Sequence, residues 1–207
     1  MVLALFAGCA AKKTTDYSAF KQSRPRSIVV LPPVNESPDV KATYSVLSQI
    51  SFPLAEAGYY VMPVALVDET FRQNGLTTPN DIAQVPAAKL HEIFGADAAL
   101  YISVSQYGTK YIVIGSQTVV TVSAKLVDLK SGAALWTGTA SAASDEGNNN
   151  SGGGLVGILI TAAVKQIINT ATDASHPVAG LASNRLLSAG HNAGLLYGPR
   201  SPKYGTD

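Results

Sequence analysis

The single cysteine of the chain, Cys9, carries the clearest chemistry in the sequence. It stands in the stretch Leu5-Phe6-Ala7-Gly8-Cys9-Ala10, behind an apolar start and directly after two small residues. Secretory signals join an apolar stretch to small residues at the cleavage point, and a thiol that follows them is the natural acceptor for a diacylglycerol. The sequence therefore predicts a bacterial lipoprotein, in which residues 1–8 are the remnant of a signal peptide.

Two features of the start depart from an ordinary lipoprotein signal. No Lys or Arg precedes Cys9, and eight residues are fewer than a normal signal contains, so we expect the start to be truncated. Phe6 stands where an aliphatic residue is usual. The alternative is a buried, inert cysteine, but Lys12-Lys13-Thr14-Thr15-Asp16 turns abruptly polar. This change favours an acylated cysteine followed by a flexible tether over residues 9–26.

The predicted anchor also determines the compartment. Two or more acyl chains, palmitate among them, give a stable membrane anchor at about 0.8 kcal/mol per buried CH₂ group. Ala10 follows the cysteine, where an Asp would favour retention in the inner membrane. The sequence thus predicts the periplasmic face of the outer membrane. Because the chain has no second cysteine, the domain must fold without an internal disulfide.

Composition points to one weakly charged domain. The chain has 207 residues, of which 14% are charged, against about 25% in an average soluble protein. Fifteen Lys and Arg residues balance 14 Asp and Glu residues, which argues against a nucleic-acid surface. We expect a single α/β domain over residues 27–190, followed by an extended C-terminal tail over residues 191–207.

The first half of the domain alternates predicted strands and helices. Apolar runs and helical spacing predict strands over residues 27–31, 59–63 and 98–107, helices over residues 40–57, 64–74 and 86–94, and a loop over residues 77–81. Pro53 should kink or split the first helix, because proline cannot donate a hydrogen bond to the preceding turn. Helical connections of this kind give parallel or mixed strand neighbours.

The second half reads as an antiparallel meander. Strands are predicted over residues 111–115, 118–128 and 134–140, with a hairpin turn over residues 128–132 and Trp136 packed in the core. A flexible loop over residues 147–154 precedes a helix over residues 155–174, which His176-Pro177 interrupts before a further helix over residues 178–187. The expected fold class is α/β (α+β), a mixed sheet with helices packed on it.

The sequence contains no convincing catalytic, metal or cofactor motif. Gly152 to Gly157 matches the glycine spacing of a dinucleotide site, but no strand runs into the glycines as that site requires. His91, His176 and His191 are scattered, whereas a zinc site needs clustered ligands. No Gly-x-Ser-x-Gly elbow is present. We therefore expect no catalytic residues, no metal, no cofactor and no nucleotide.

Two apolar segments remain as candidate contact surfaces. Residues 154–164 are nearly uncharged and too short to span a membrane, so three interpretations compete: a core helix, a helix between subunits, or a membrane-inserting segment. The candidate partner-binding residues in this segment are Leu155, Ile158 and Leu159. The tail is apolar at Leu195, Leu196 and Tyr197, so we expect it either to pack back on the domain or to bind a neighbour.

Three segments carry a resemblance to known proteins: the lipoprotein start, the strand Ile28-Val29-Val30-Leu31-Pro32-Pro33 with Asn35-Glu36-Ser37 after it, and the ending Leu195-Leu196-Tyr197-Gly198-Pro199-Arg200. With them the chain resembles a family of bacterial outer-membrane lipoproteins of unknown function, which includes a meningococcal vaccine-candidate antigen. The strand is also similar to openings in the curli channel lipoprotein, the TolB amino-terminal domain and lipoprotein activators of penicillin-binding proteins. The resemblance implies a compact α/β periplasmic domain that works by assembly, and it carries over only Cys9 as a functional residue.

The expected function is therefore binding. The sequence and the resemblance favour a non-enzymatic component of an envelope assembly or secretion apparatus, which forms a homodimer or small ring and contacts other envelope proteins. One alternative is a monomeric lipoprotein that activates a peptidoglycan synthase. A second is a hydrolase that acts on envelope substrates, which would need a pocket with converging polar groups.

Overall fold

The structure of the protein is a computed structural model that describes residues 15–112, 115–146 and 173–207. Cys9 and the segment with Leu155, Ile158 and Leu159 lie outside the described residues. The glycine-rich loop also lies outside them, as does the helix predicted over residues 155–174 except for its last two residues.

Strands and helices account for most of the described chain. The strands in these ranges are β1 (Ser27–Val30), β2 (Val34–Asn35), β3 (Tyr60–Val61), β4 (Ala98–Ile112), β5 (Gly115–Asp128) and β6 (Ala134–Ala143). The helices in the same ranges are α1 (Ser18–Ser23), α2 (Ala42–Glu56), α3 (Val64–Gln73), α4 (Pro79–Ala83), α5 (Ala87–Phe94) and α6 (Ser175–Leu187).

The strands form one mixed sheet in the order β3-β1-β4-β5-β6, and β2 also pairs with β4. β1 runs parallel to β3 and β4, and β2 runs parallel to β4. The β4–β5 and β5–β6 pairs are antiparallel. The predicted fold class is therefore confirmed: a parallel half built through helical connections is followed by an antiparallel meander.

Side chains that alternate across the strands build a core on each face of the sheet. In β1, Ile28 and Val30 pack into a large cluster with α2 and α6. Val29 of the strand and Leu31, which follows it, belong to a second cluster with α3, α4 and α5. Trp136 is buried in the large cluster, and its predicted core position is confirmed. The two clusters make the parallel half of the sheet the middle of three layers.

Several predicted elements differ from those in the structure. Pro53 does not split its helix, since α2 is continuous and the Ala57 N–H donates to the Pro53 carbonyl at 3.0 Å. The loop predicted over residues 77–81 contains the start of α4, where Thr78 caps the helix by accepting a hydrogen bond from the Asp81 N–H at 3.2 Å. β2 was not predicted.

The strand predicted over residues 111–115 is not a separate element. Its first residues are the end of β4, which reaches Ile112, and its last residue, Gly115, begins β5. The two strands pair along almost their whole length, from Ala98 opposite Asp128 to Ile112 opposite Gly115. The meander is thus one long hairpin followed by β6.

Both ends of the described chain pack onto the domain. The tether predicted through residue 26 contains α1, and Phe20 of this helix is only 4% exposed. The folded part of the chain therefore begins before residue 27. α6 begins at Ser175 and continues through His176 and Pro177, because the first turn of a helix needs no proline N–H.

Candidate functional site

The antiparallel half of the sheet has one buried face and one polar, largely exposed face. On the polar face, hydroxyl groups of β5 and β6 form cross-strand pairs. Thr121 Oγ1 lies 3.0 Å from Ser141 Oγ, and Ser123 Oγ lies 2.9 Å from Thr139 Oγ1. We call this face, made by Thr121, Ser123, Lys125, Thr137, Thr139 and Ser141, the hydroxyl face. Its side chains are small and uncharged except for Lys125, so the surface is flat and rich in hydrogen-bonding groups.

A groove of about 670 Å³ lies between the hydroxyl face and the segment that follows β1. Leu31, Pro32 and Val34 form its apolar wall, and the hydroxyl face forms its opposite wall. Charged groups of opposite sign, Glu36 and Lys125, also line it. Burial raises the pKa of Tyr101 in the groove above its usual value, so its hydroxyl is a neutral donor at physiological pH. The groove therefore offers donors, acceptors and an apolar floor to a bound chain.

β6 forms an edge of the sheet. No strand among the described residues pairs with its outer edge, and the strand contains no proline and no charged residue from Ala134 to Ala143. Natural edge strands are usually protected by such residues. Arg185 of α6 donates to the Ser141 carbonyl at 2.9 Å and also pairs with Glu146. The Ala143 N–H also donates to Glu146 Oε1 at 2.9 Å, so the part of the edge from Ala134 to Ala140 is suited to accept a strand from another chain.

The structure brings together a serine and a histidine that are 131 positions apart in the sequence. Ser45 Oγ of α2 lies 2.8 Å from His176 Nδ1 of α6. The other ring nitrogen lies 2.7 Å from the Gln49 amide nitrogen, and Tyr107 donates to Ser45 Oγ at 2.7 Å. Burial raises the pKa of Tyr107, partly offset by its bond to Ser45, so the phenol stays protonated and donates.

This polar network differs from a hydrolytic centre in the partner of the imidazole. In a catalytic triad a carboxylate orients the histidine and stabilises its protonated form. Here an uncharged amide, Gln49, faces the ring nitrogen that points away from Ser45. The serine also sits inside a regular helix and not on a sharp turn. The network therefore joins α2, β4 and α6, and its geometry does not favour nucleophilic catalysis.

The C-terminal segment packs on its own domain, which is one of the two alternatives predicted for it. Leu195 is fully buried, Leu196 is 9% exposed, and Tyr197 is half-buried. The Tyr59 hydroxyl donates to the Leu196 carbonyl at 2.6 Å, and the Gly198 N–H donates to the Ala57 carbonyl at 2.8 Å. These side chains are therefore occupied by contacts within the chain.

The remaining candidate features give no further site in the described ranges. No group of three or more His, Cys, Asp or Glu residues there is arranged to hold a metal ion. His91 contacts the Ala96 carbonyl through Nδ1 at 2.8 Å, which is a local helix-end contact. In the part of the chain that the structure describes, no helix has the length and apolar character needed to cross a bilayer.

Sequence reasoning did not find the hydroxyl face or the Ser45–His176 pair. The hydroxyl face could have been found from the alternation Thr121-Val122-Ser123-Ala124-Lys125, which places polar side chains on every second position. The Ser45–His176 pair leaves no sequence signal, because it depends on how α6 packs against α2.

Known proteins resemble the chain over nearly its whole length. A family model described as "Putative lipoprotein GNA1162-like" matches residues 15–200. The chain is 52% identical over 201 residues to a protein of Neisseria meningitidis serogroup B named "Putative lipoprotein NMB1124/NMB1162", covering 96% of this chain and 92% of that protein.

Two solved structures resemble the chain to different degrees. The crystal structure of lipoprotein GNA1162 from Neisseria meningitidis matches with a TM-score of 0.57 and 54% identity, over 70% of this chain and 99% of that chain. The C-terminal domain of LpoB from Salmonella enterica is a distant likeness, with 19% identity over 56% of this chain and 81% of that chain and a TM-score of 0.42.

Proposed function

The chain belongs to the GNA1162-like family of lipoproteins, and from this premise we propose that it is anchored through acylated Cys9 to the periplasmic face of the outer membrane. There it serves as a non-enzymatic component of an envelope assembly or secretion apparatus. The anchor is supported by the small residues Ala7 and Gly8 before the single cysteine. Ala10 after it supports the outer membrane as the destination.

The observation that carries a binding role is the β6 edge beside the hydroxyl face, with which no strand of the described residues pairs. A strand edge presents free N–H and C=O groups, so its natural ligand is another extended strand. The hydroxyl groups of Thr137 and Thr139 lie along this strand and are exposed. A partner strand that pairs with β6 would extend the sheet and gain side-chain contacts on the hydroxyl face and in the groove.

The anchor makes a weak contact of this kind effective. Confinement to one membrane leaflet raises the effective concentration of the domain for partners in the same leaflet, so binding occurs without a large interface. A second copy of the chain is one such partner. Two β6 strands in antiparallel pairing would bring no like charges together, because the strand is uncharged. We therefore include a homodimer or small ring in the proposal.

Site-specific photocross-linking in intact cells tests this role. A photoreactive residue at Thr139 probes the edge, and the matched control places it at the exposed Ser48 of α2. We expect products from position 139 and not from position 48. A product whose mass is a multiple of the chain mass identifies further copies of the chain, and a product of any other mass contains another envelope protein. Equal cross-linking from both positions would contradict a role for the β6 edge.

Light scattering on the purified protein distinguishes a self-assembling component from a monomeric activator of a peptidoglycan synthase. A stable oligomer supports a self-assembling component. A strict monomer that cross-links at position 139 to a peptidoglycan synthase would instead support the activator.

A further inference from the structure

A basic cleft lies where the two ends of the folded chain meet. One cavity of about 580 Å³ is lined by Arg24, Arg26 and Lys130 together with Tyr204. A neighbouring cavity of about 470 Å³ is lined by Lys21 and by the same Arg24 and Tyr204. Because Arg24 and Tyr204 line both cavities, the two cavities form one continuous surface, which we call the terminal basic cleft.

The C-terminal segment adds two more cations at the border of this cleft. The Arg200 guanidinium stacks over the Tyr60 ring at 5.0 Å, and the Lys203 ammonium lies 5.6 Å from the centre of the Tyr197 ring. Such cation–π contacts hold the charges in place without neutralising them. Six of the 15 Lys and Arg residues of the chain are thus concentrated here: Lys21, Arg24, Arg26, Lys130, Arg200 and Lys203.

Three aspartate side chains lie in or beside the cleft, and all three are engaged with other groups. The Asp207 main-chain oxygen also accepts a hydrogen bond from Lys21 Nζ at 3.2 Å. Asp97 accepts hydrogen bonds from the Arg26 and Ser27 N–H groups at 3.0 and 3.2 Å, and it lies 3.7 Å from Lys130 Nζ. Partial burial acts to raise the pKa of Asp97, but these hydrogen bonds outweigh it and lower the pKa. Asp97 is therefore a fixed anion whose acceptor capacity is used mainly by the backbone.

The other two carboxylates are held in the same way. Asp128 accepts from Ser23 and from Ser131, and Asp207 accepts from the Tyr197 N–H at 2.7 Å. In contrast, no carboxylate of the described residues lies within 4.0 Å of the side-chain nitrogens of Arg24, Arg26, Arg200 or Lys203. All four of these side chains are exposed. The surface therefore keeps a net positive charge that is free to bind an anion.

The position of the cleft relative to the proposed anchor indicates which anion it meets. The chain joins the folded domain at Tyr17, whose hydroxyl donates to the Gly194 carbonyl at 2.5 Å, and α1 then leads directly into Lys21 and Arg24. Tyr17 lies eight positions after Cys9, and a chain of that length spans at most about 30 Å. An anchored Cys9 therefore keeps the cleft close to the head groups of its own leaflet.

We propose that the terminal basic cleft seats the domain on anionic phospholipid head groups and so sets its orientation on the membrane. Arginine and lysine bind phosphate through charge-assisted hydrogen bonds. Tyr204, which is 46% exposed at the cleft, has the amphipathic side chain found at membrane interfaces. Because salt screens exposed charges beyond about 8 Å, the cleft acts only in contact with the bilayer, where the anchor holds it. The orienting role rests on the proposed anchor, whereas the affinity for head groups does not.

Binding of the full-length, unacylated Cys9→Ser protein to vesicles tests the proposal separately from lipidation. Vesicles of equal parts phosphatidylethanolamine and phosphatidylglycerol are compared with vesicles of phosphatidylcholine alone. We expect sedimentation with the anionic vesicles only, and we expect the binding to weaken steeply as salt is added. Equal binding to both vesicle types, or binding that is insensitive to salt, would overturn the proposal whatever the state of Cys9 in cells.

Two triple variants with equal charge change show whether the terminal basic cleft is the surface that binds the vesicles. Arg24→Gln, Arg26→Gln and Lys203→Gln together remove three charges from the cleft. Each Lys or Arg at an anionic surface contributes about fivefold, so we expect partitioning to fall on the order of a hundredfold. The control combines Lys41→Gln, Arg72→Gln and Lys89→Gln, which changes the net charge by the same amount at exposed positions outside the cleft. Equal losses in both triples, with circular dichroism showing both folded, would overturn the proposal.

Discussion

The contact between Gly58 and Gly198 holds the C-terminal segment on the domain, and Gly198→Ala tests it. A Cβ atom at position 198 would lie 2.5 Å from the Gly58 carbonyl oxygen, 2.6 Å from its carbon and 2.9 Å from Tyr59 Cδ1. Two of these neighbours are backbone atoms, which cannot move aside as the end of a flexible side chain would. The substitution must therefore push the segment away from α2 and β3.

The cost follows from the contacts that the shift would break. The Gly198 N–H donates to the Ala57 carbonyl at 2.8 Å, and the Arg200 N–H donates to the Gly58 carbonyl at 3.0 Å. Overpacking costs about 1–3 kcal/mol and each lost hydrogen bond costs about 1 kcal/mol. We expect the free energy of unfolding to fall by roughly 3–5 kcal/mol, which corresponds to a melting temperature lower on the order of 10 °C.

Thermal unfolding by circular dichroism and limited trypsin digestion measure this effect. Gly180→Ala is the matched control, because its Cβ would meet only the side chain of Gln49, at 3.2 Å, and alanine favours a helix over glycine by about 1 kcal/mol. We expect Gly198→Ala to melt lower and to be cleaved early after Arg200, whereas the control keeps or gains stability. A Gly198→Ala protein as stable and as protease-resistant as the wild type would refute the proposed packing.

Three further substitutions test other contacts. Burial acts to raise the pKa of Asp128, but hydrogen bonds from Ser23 and Ser131 lower the pKa overall. The ionised carboxylate therefore stabilises the fold above about pH 4, and this stabilisation is lost as the pH falls through the folded-state pKa. Asp128→Asn should therefore lose about 1–3 kcal/mol in urea unfolding at neutral pH, with a smaller difference from wild type in acid; a constant difference would contradict this. Trp136→Phe removes the indole bond to the Ala193 carbonyl, 3.0 Å long, and should cost about 1 kcal/mol in the same assay, whereas an unchanged midpoint would show that the bond contributes nothing. Ser45→Ala should lower the free energy of unfolding by a similar amount and leave cross-linking from Thr139 unchanged. If the variant lost its function in cells while its stability stayed normal, that result would instead support a hydrolase.

The sequence predicted those strands and helix ends that depend on residues close together in the chain. The run Ile28 to Leu31 before two prolines is a buried strand, and the helix before Gly58 and the helix before Gly95 end close to where the glycines indicate. Gly95 adopts a positive φ of 63°, which glycine accommodates without strain. The mixed sheet could be predicted because helices connect the strands of the first half, whereas short turns connect those of the second half.

Features that depend on distant partners could not be read from the sequence. α1 has weak helical spacing, and it packs because Phe20 reaches the large core cluster and Tyr17 meets Gly194, a residue 177 positions away. The long β4–β5 hairpin depends on register across two strands. The terminal basic cleft combines cations from both ends of the chain with Lys130 of the β5–β6 turn, so it becomes visible only after folding.

Mass spectrometry of the N-terminal peptide from the native, membrane-extracted protein measures the state of Cys9, on which the proposed anchor depends. We expect Cys9 to be the first residue of the mature chain and to carry a diacylglycerol on its sulfur. Recovery of the native protein from the soluble fraction with an unmodified Cys9 would contradict it.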